Sequence, residues 1–321
     1  MGGSRTSIEI TAQPECWRRA AGLAADAGGA LPGRGERVAV VGCGTSLFMA
    51  QAYAALREAA GHGETDAFAA SELPPARRYD RVLALTRSGT TTEVVDVLGR
   101  LAGTVRTTAI TAVPDAPAAQ RADAVIGLDF ADEESVVQTR FATTQLILLR
   151  AHLGEDVTDA IAGAEAAVRD PLPPELLNAG QFTFLGRGWT VGLAREAALK
   201  LREAAGFWAE AYPAMEYRHG PISITGPGRA VWMFGTIPDG LAGEVRAAGG
   251  LLRVSGADPL AELVRAQRVA VALATAAGLD PDRPRNLTRS VILDGSAVPD
   301  GPAVPDGSAV PDGSAVPDGG A

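Results

Sequence analysis

The feature that most constrains this chain is a recurring order: a short, largely apolar run, a loop of glycine and hydroxyl residues, then a stretch of helical composition. Val38-Ala39-Val40-Val41 leads into Gly42-Cys43-Gly44-Thr45-Ser46 and a helix over 47–60. Arg81-Val82-Leu83-Ala84-Leu85 leads into Thr86-Arg87-Ser88-Gly89-Thr90-Thr91 and a helix that runs to residue 101. An apolar run without alternation suits a strand buried on both faces, as in a parallel sheet covered by helices. Further strands are expected at 66–70, 107–111 and 124–128, with a helix from about 139 to 152. This alternation predicts a doubly wound α/β sheet, whose ligands bind outside the carboxyl ends of the strands. Here those ends are the loops after Val41 and Leu85.

A second copy of the plan follows. A helical connector over 156–169 ends in Asp170-Pro171-Leu172-Pro173-Pro174, a chain punctuation that suits a boundary. Phe182-Thr183-Phe184-Leu185 reads as a strand, Gly186-Arg187-Gly188 as its turn, and 190–205 as a long helix. Strands at 229–234 and 251–254 and a helix over 259–277 complete the copy. Where the first copy has its hydroxyl-rich loop the second reads Phe234-Gly235-Thr236-Ile237, so only the first copy is expected to keep an anion site. The expected units are 1–153 with a helical N-terminal segment, a connector over 154–175, and 176–294. Beyond them, 295–321 repeats Asp-Gly-Ser-Ala-Val-Pro, with Pro302 in place of one serine. One valine per repeat cannot offset the entropy of ordering it, so this tail is expected to be disordered. It carries Asp300, Asp306, Asp312 and Asp318 and no base, which makes it a solvated appendage or, alternatively, a partner-binding tail.

Composition removes several classes. The chain lacks an apolar stretch of about 18 residues, so no membrane span is expected. The N-terminal residues show no secretory pattern, and Cys16 and Cys43 do not make a disulfide framework, so a cytoplasmic setting with reduced thiols is expected. A net charge of −9 argues against a nucleic-acid partner.

Two clusters carry chemistry. Thr86-Arg87-Ser88-Gly89-Thr90-Thr91 sets four hydroxyls, a guanidinium and a glycine at a helix N-terminus, where unpaired N–H groups and the helix dipole favour an anion. One hydroxyl would be enough to cap the helix. Ser46, on the neighbouring loop, adds a donor. In the second copy Glu196, Lys200 and Glu203 share one helix face at i, i+4 and i+7. On a surface such a stripe is only an ion pair worth about 0.2–0.5 kcal/mol. Here it follows a ligand-binding turn, and His219 lies in the turn Glu216-Tyr217-Arg218-His219-Gly220-Pro221. A glutamate and a histidine converging on a phosphosugar could divide base and acid work between them.

These residues resemble the sugar isomerase (SIS) domain family, and most of all the isomerase half of glucosamine-6-phosphate synthase, the glutamine–fructose-6-phosphate aminotransferase. The resemblance spans about 8–293 and rests on many short motifs in order. They include Cys43-Gly44-Thr45-Ser46, Ser88-Gly89-Thr90-Thr91, Thr143-Thr144-Gln145, Leu185-Gly186-Arg187-Gly188, Glu196 through Glu203, His219-Gly220-Pro221 and Pro284-Arg285-Asn286-Leu287. It implies two tandem flavodoxin-like SIS subdomains. It also implies that Ser46, with Thr45 beside it, and Thr86, Arg87, Ser88 and Thr91 bind the phosphate, Arg87 replacing a usual glutamine. Glu203 takes the role of the C2 proton-transfer carboxylate with Lys200 beside it. His219 is the ring-opening group, supplied across a homodimer. The carbonyl of Val136 meets the sugar, and Gln138 stands where the family has a serine. No cofactor or metal is called for.

Two departures shape the expected activity. Too few residues precede Ile8 for a glutaminase domain, so glutamine is not expected to supply ammonia within this chain. The position of the synthase lysine that condenses with the substrate carbonyl is Arg289, and a guanidinium cannot form a Schiff base. What remains is ring opening and C2 proton abstraction on an amino-sugar 6-phosphate. That path ends in aldose–ketose isomerisation, with or without deamination, or in β-elimination of water. A non-catalytic phosphosugar sensor and an ammonia-dependent aminotransferase are the alternatives.

Overall fold

The computed structural model describes residues 3–293; the hexapeptide tail lies outside the described residues. The chain opens with helices α1 (Arg5–Thr11) and α2 (Gln13–Leu23). Strands β1 (Val38–Gly42), β2 (Thr65–Ala69), β3 (Arg81–Leu85), β4 (Arg106–Thr111) and β5 (Ala124–Gly127) then form one parallel sheet in the order β2-β1-β3-β4-β5. They alternate with α3 (Thr45–Ala59), α4 (Thr92–Leu101) and α5 (Pro117–Arg121), and α6 (Arg140–His152) follows. After α7 (Thr158–Arg169) and α8 (Pro174–Leu177) comes a second parallel sheet of β6 (Gln181–Gly186), β7 (Ala209–Pro213), β8 (Arg229–Met233) and β9 (Leu251–Val254), ordered β7-β6-β8-β9. Its helices are α9 (Thr190–Ala205), α10 (Leu241–Ala247) and α11 (Pro259–Ala276). Both sheets follow the flavodoxin-like order, the second with four strands among the described residues.

The apolar runs became strands because every residue of β1 and β3 is buried. Sequence reading missed β7. Its Ala209-Glu210-Ala211-Tyr212-Pro213 is an edge strand, only part-buried and ending in proline, so it shows no clean apolar run. Between the sheets lies a helical layer in which α9 packs on α3 and α11, and α2 on α6. Trp17, Phe141, Leu193 and the aromatic group Phe182, Phe184, Trp232 and Phe234 fill one continuous core there.

One glycine decides how close the two halves come. A Cβ on Gly192 of α9 would sit 2.4 Å from the Phe48 carbonyl oxygen and 3.0 Å from the Ala52 nitrogen of α3. Backbone therefore meets backbone at this crossing. Eight residues further along α9, Lys200 reaches the first residue of α3.

Candidate functional site

In the first sheet the strand order reverses between β1 and β3, and the loops after these strands form a pocket. It is lined by Ser46, Thr86, Arg87, Ser88, Thr91, Gln138 and Arg289, so the residues expected to hold phosphate lie together. Gly44, at φ 54°, turns the chain from β1 into α3 and sets Thr45 and Ser46 in the first turn of that helix. The Ser46 hydroxyl is buried without a hydrogen-bond partner, as is the Gln138 Oε1. A buried hydroxyl left unpaired is costly unless a ligand or water completes it.

The loop is braced from within. Thr86 Oγ1 accepts from the Gly89 N–H (3.2 Å), and Ser88 Oγ accepts from the Thr90 N–H (3.2 Å) and hydroxyl (3.0 Å). The C-terminal segment lies over the start of α4. Ser290 Oγ is 3.0 Å from Thr90 Oγ1 and 3.2 Å from Thr91 Oγ1, and the Val291 carbonyl accepts from the Thr92 N–H (3.1 Å). The first N–H of α4 is thus taken by the protein itself.

Arg87 is deployed in a way its sequence context does not show. It is 2% exposed, and its Nη atoms donate to the carbonyls of Ser135, Val136 and Arg289 at 3.0–3.1 Å. Only Nε lacks a partner. Glu133, fully buried, lies 3.5 Å from the guanidinium, and its other oxygen accepts from Thr139 N and Oγ1 and from Arg140 N at the start of α6. Burial pulls Arg87 below the ordinary arginine value, against the attraction of Glu133, and burial likewise pushes Glu133 up. The Val136 carbonyl, expected to meet the sugar, is one of the three that Arg87 engages.

Beside this pocket is the charged stripe of α9, which the structure buries. Lys200 Nζ donates to Thr45 Oγ1 (3.0 Å), which in turn donates to Glu196 Oε1 (3.3 Å). The ammonium also pairs with Glu196 at 3.4 Å and, more closely, with Glu203. Lys200 and Glu196 are 1% and 0% exposed, whereas the Glu203 side chain keeps 18% of its surface open. Burial pushes the Glu196 carboxyl up to about 8, with Lys200 opposing the shift and Glu203 adding to it. Burial opposes the charge on Lys200, but the two carboxylates outweigh it and raise its pKa. At neutral pH one lysine therefore faces a neutral Glu196 while Glu203 is the partly open member. Thr45 belongs to this cluster and Ser46, the next residue, to the pocket, so both meet within one protomer.

At the equivalent crevice of the second sheet the two loops bond to each other. Thr190 Oγ1 accepts from the Arg187 N–H (2.8 Å) and donates to the Phe234 carbonyl (2.9 Å), which ties the loops after β6 and β8 together.

The SIS domain family profile matches residues 34–153. Among curated proteins, the glutamine–fructose-6-phosphate aminotransferase of Aeropyrum pernix is 30% identical over 334 residues, covering 86% of this chain and 53% of that enzyme. That of Sulfolobus acidocaldarius is 29% identical over 296 residues, covering 80% and 50%. The chain carries a SIS domain over residues 34–153. It spans about half the length of the curated relatives it matches, and its likeness is to their isomerase half. Among solved structures, a glucosamine-6-phosphate deaminase from Thermotoga maritima aligns at TM-score 0.74 and 25% identity, covering 90% of this chain and 100% of that one. A tagatose-6-phosphate ketose/aldose isomerase from Escherichia coli aligns at TM-score 0.73 and 19% identity, covering 91% and 96%, and shares the fold.

Two residues of this chain stand apart from the expected constellation. His219 is exposed on the turn after β7, and no hydrogen bond among the described residues joins its ring to Lys200 or Glu203. Arg289 lines the pocket, but its guanidinium is held by Asp132 Oδ1 at 2.5 Å and by the Glu133 carbonyl. Glu133 and Ser290 were missed by sequence reading. Glu133 sits in the run Asp132-Glu133-Glu134, which looks like solvated surface, and Ser290 is some 200 residues from the hydroxyls it meets. No helix among the described residues is long and apolar enough to cross a membrane.

Proposed function

We propose that this chain is a phosphosugar isomerase or lyase that acts on an amino-sugar 6-phosphate of the glucosamine or N-acetylglucosamine class. The observation that carries the reading is the junction at Thr45-Ser46. The unpaired Ser46 hydroxyl faces the hydroxyl-lined pocket, and Thr45 holds Lys200, which holds Glu203. A phosphate seated among Ser46, Thr86, Ser88 and Thr91 puts the other end of an open-chain hexose toward the partly open carboxylate. Hydrogen bonds to a charged group contribute about 1.5–3 kcal/mol each, so a few of them anchor the substrate.

The chain's residues then divide the work. His219 of the partner subunit donates to the ring oxygen and opens the ring, which makes a homodimer the active unit. The C1 aldehyde acidifies the C2–H bond, and the Glu203 carboxylate takes that proton while the electron pair moves to the C1–C2 bond. Lys200 positions Glu203 and compensates its charge. Return of the proton to C1 gives the ketose-level C2 imine; departure of the C3 hydroxyl as water gives the unsaturated sugar. With a free amine at C2, the ketose-level imine hydrolyses to release ammonia, the outcome named for the Thermotoga maritima neighbour. Arg289, held by Asp132, stands against covalent amine transfer through this position.

The test is solvent exchange. The protein is incubated with glucosamine 6-phosphate, or with its N-acetyl form, in D2O, and NMR follows C2 and the products. Deuterium is expected at C2 with wild type and not with Glu203→Gln, which still binds the phosphosugar. Full exchange by Glu203→Gln removes Glu203 as the base, and binding without exchange by the wild type removes the catalytic reading in favour of a sensor.

A further inference from the structure

The amino ends of the first sheet hold a second concave site, on the far side from the phosphate pocket. The loop leading into β3 and the last turn of α4 enclose a cleft of about 600 Å³, within the range of small-molecule sites. Val82, at the start of β3, lines this cleft, and Thr86, just past its end, lines the phosphate pocket. Along a strand that separation is about 13 Å. The two sites are therefore distinct spaces at opposite ends of one strand.

The cleft has an apolar floor of Leu73, Val82 and Leu101 under a rim of Arg77, Arg78 and Arg100. The charge of Arg77 is already matched, because Asp66 Oδ2 pairs with it at 3.0 Å and also accepts from the Tyr79 hydroxyl at 2.7 Å. No ion pair among the described residues engages Arg78 or Arg100, and both are exposed. Two uncompensated guanidinium groups thus face one apolar-floored cleft in a chain whose net charge is −9. Guanidinium forks suit phosphate oxygens in bidentate pairs, and two of them match the charge of a phosphate monoester dianion. The apolar floor asks for a body beyond the phosphate.

We propose that this cleft is a second ligand site, separate from the strand-end pocket, that takes a small molecule carrying a phosphate monoester on an apolar body. Nothing in this inference depends on the reaction proposed above.

The probe is phenyl phosphate, titrated calorimetrically into the full chain, with phenol as its uncharged counterpart. Three forms are compared: wild type, Arg78→Glu/Arg100→Glu, and Ser88→Ala/Thr91→Ala. Thermal melts check that each folds, and Arg78→Gln/Arg100→Gln replaces the charge reversal if it does not. The expected result is saturable binding in the wild type that persists in Ser88→Ala/Thr91→Ala and weakens at least tenfold when the two arginines are replaced. Binding that survives loss of the arginines, that disappears with Ser88→Ala/Thr91→Ala, or that phenol reproduces overturns the proposal. A failure here leaves the C2 exchange experiment untouched, so the two readings fall separately.

Discussion

Glu196 offers the most direct test of how α9 is buried. Its carboxyl is wholly enclosed and pushed up to about 8, whereas an unfolded chain leaves a glutamate near 4.3. The sign follows from linkage: a carboxyl whose pKa is raised by folding favours the folded state below the unfolded value. That advantage is lost as pH climbs through the folded one. At about 1.4 kcal/mol per tenfold, the window from about 4.3 to about 8 amounts to on the order of 5 kcal/mol. Glu196→Gln keeps the shape and an oxygen able to accept from Thr45, and it cannot ionise. Urea unfolding of both proteins at intervals from pH 5 to 9 isolates the effect, because other groups cancel in the difference at each pH. The variant is expected to gain on the wild type steadily as pH rises and to exceed it by several kcal/mol at pH 9, relative to their difference at pH 5. A difference that stays flat across that range, or that moves the other way, would refute the buried, neutral Glu196.

Further expectations follow from other contacts. Replacing Arg87 by Met leaves Glu133 and three carbonyls facing a hydrocarbon; a stability loss of about 3–5 kcal/mol is expected by chemical denaturation, and a loss below 1 kcal/mol contradicts the hub geometry. Gly192→Ala forces α9 away from α3 where a Cβ would meet the Phe48 carbonyl. It should lower stability by about 1–3 kcal/mol and reduce turnover more than Gly22→Ala on α2, whose Cβ meets nothing within 4 Å. Thr45→Val removes the hydroxyl that bridges Lys200 and Glu196 and leaves only their direct 3.4 Å contact. If the proposed chemistry holds, kcat falls by about tenfold or more with KM for the sugar phosphate little changed, whereas Ser46→Ala raises KM. An equal rise of KM in both variants argues against separate roles for these neighbours.

Much of the fold follows from local pattern. Fully buried parallel strands need largely apolar runs, and β1, β3 and β6 announce themselves that way, each followed by a glycine-bearing turn. The hydroxyl-rich loop is partly local, since Thr86 accepts from Gly89 and Ser88 from Thr90 within the turn. Edge strand β7, with mixed burial, gives no such signal.

Where the buried strands and their turns fall, and that one turn gathers hydroxyls, could be read locally, because those features depend on residues close in the chain. The burial of Glu196 and Lys200 could not. On paper an i, i+4 pair is the same on a wet surface and under α3. Tertiary structure alone turned Arg87 onto carbonyls of residues 135, 136 and 289 and set Ser290 on Thr90 and Thr91. Those partners are fixed by how two sheets and their helices pack, and a side chain carries no local mark of which distant atom will satisfy it.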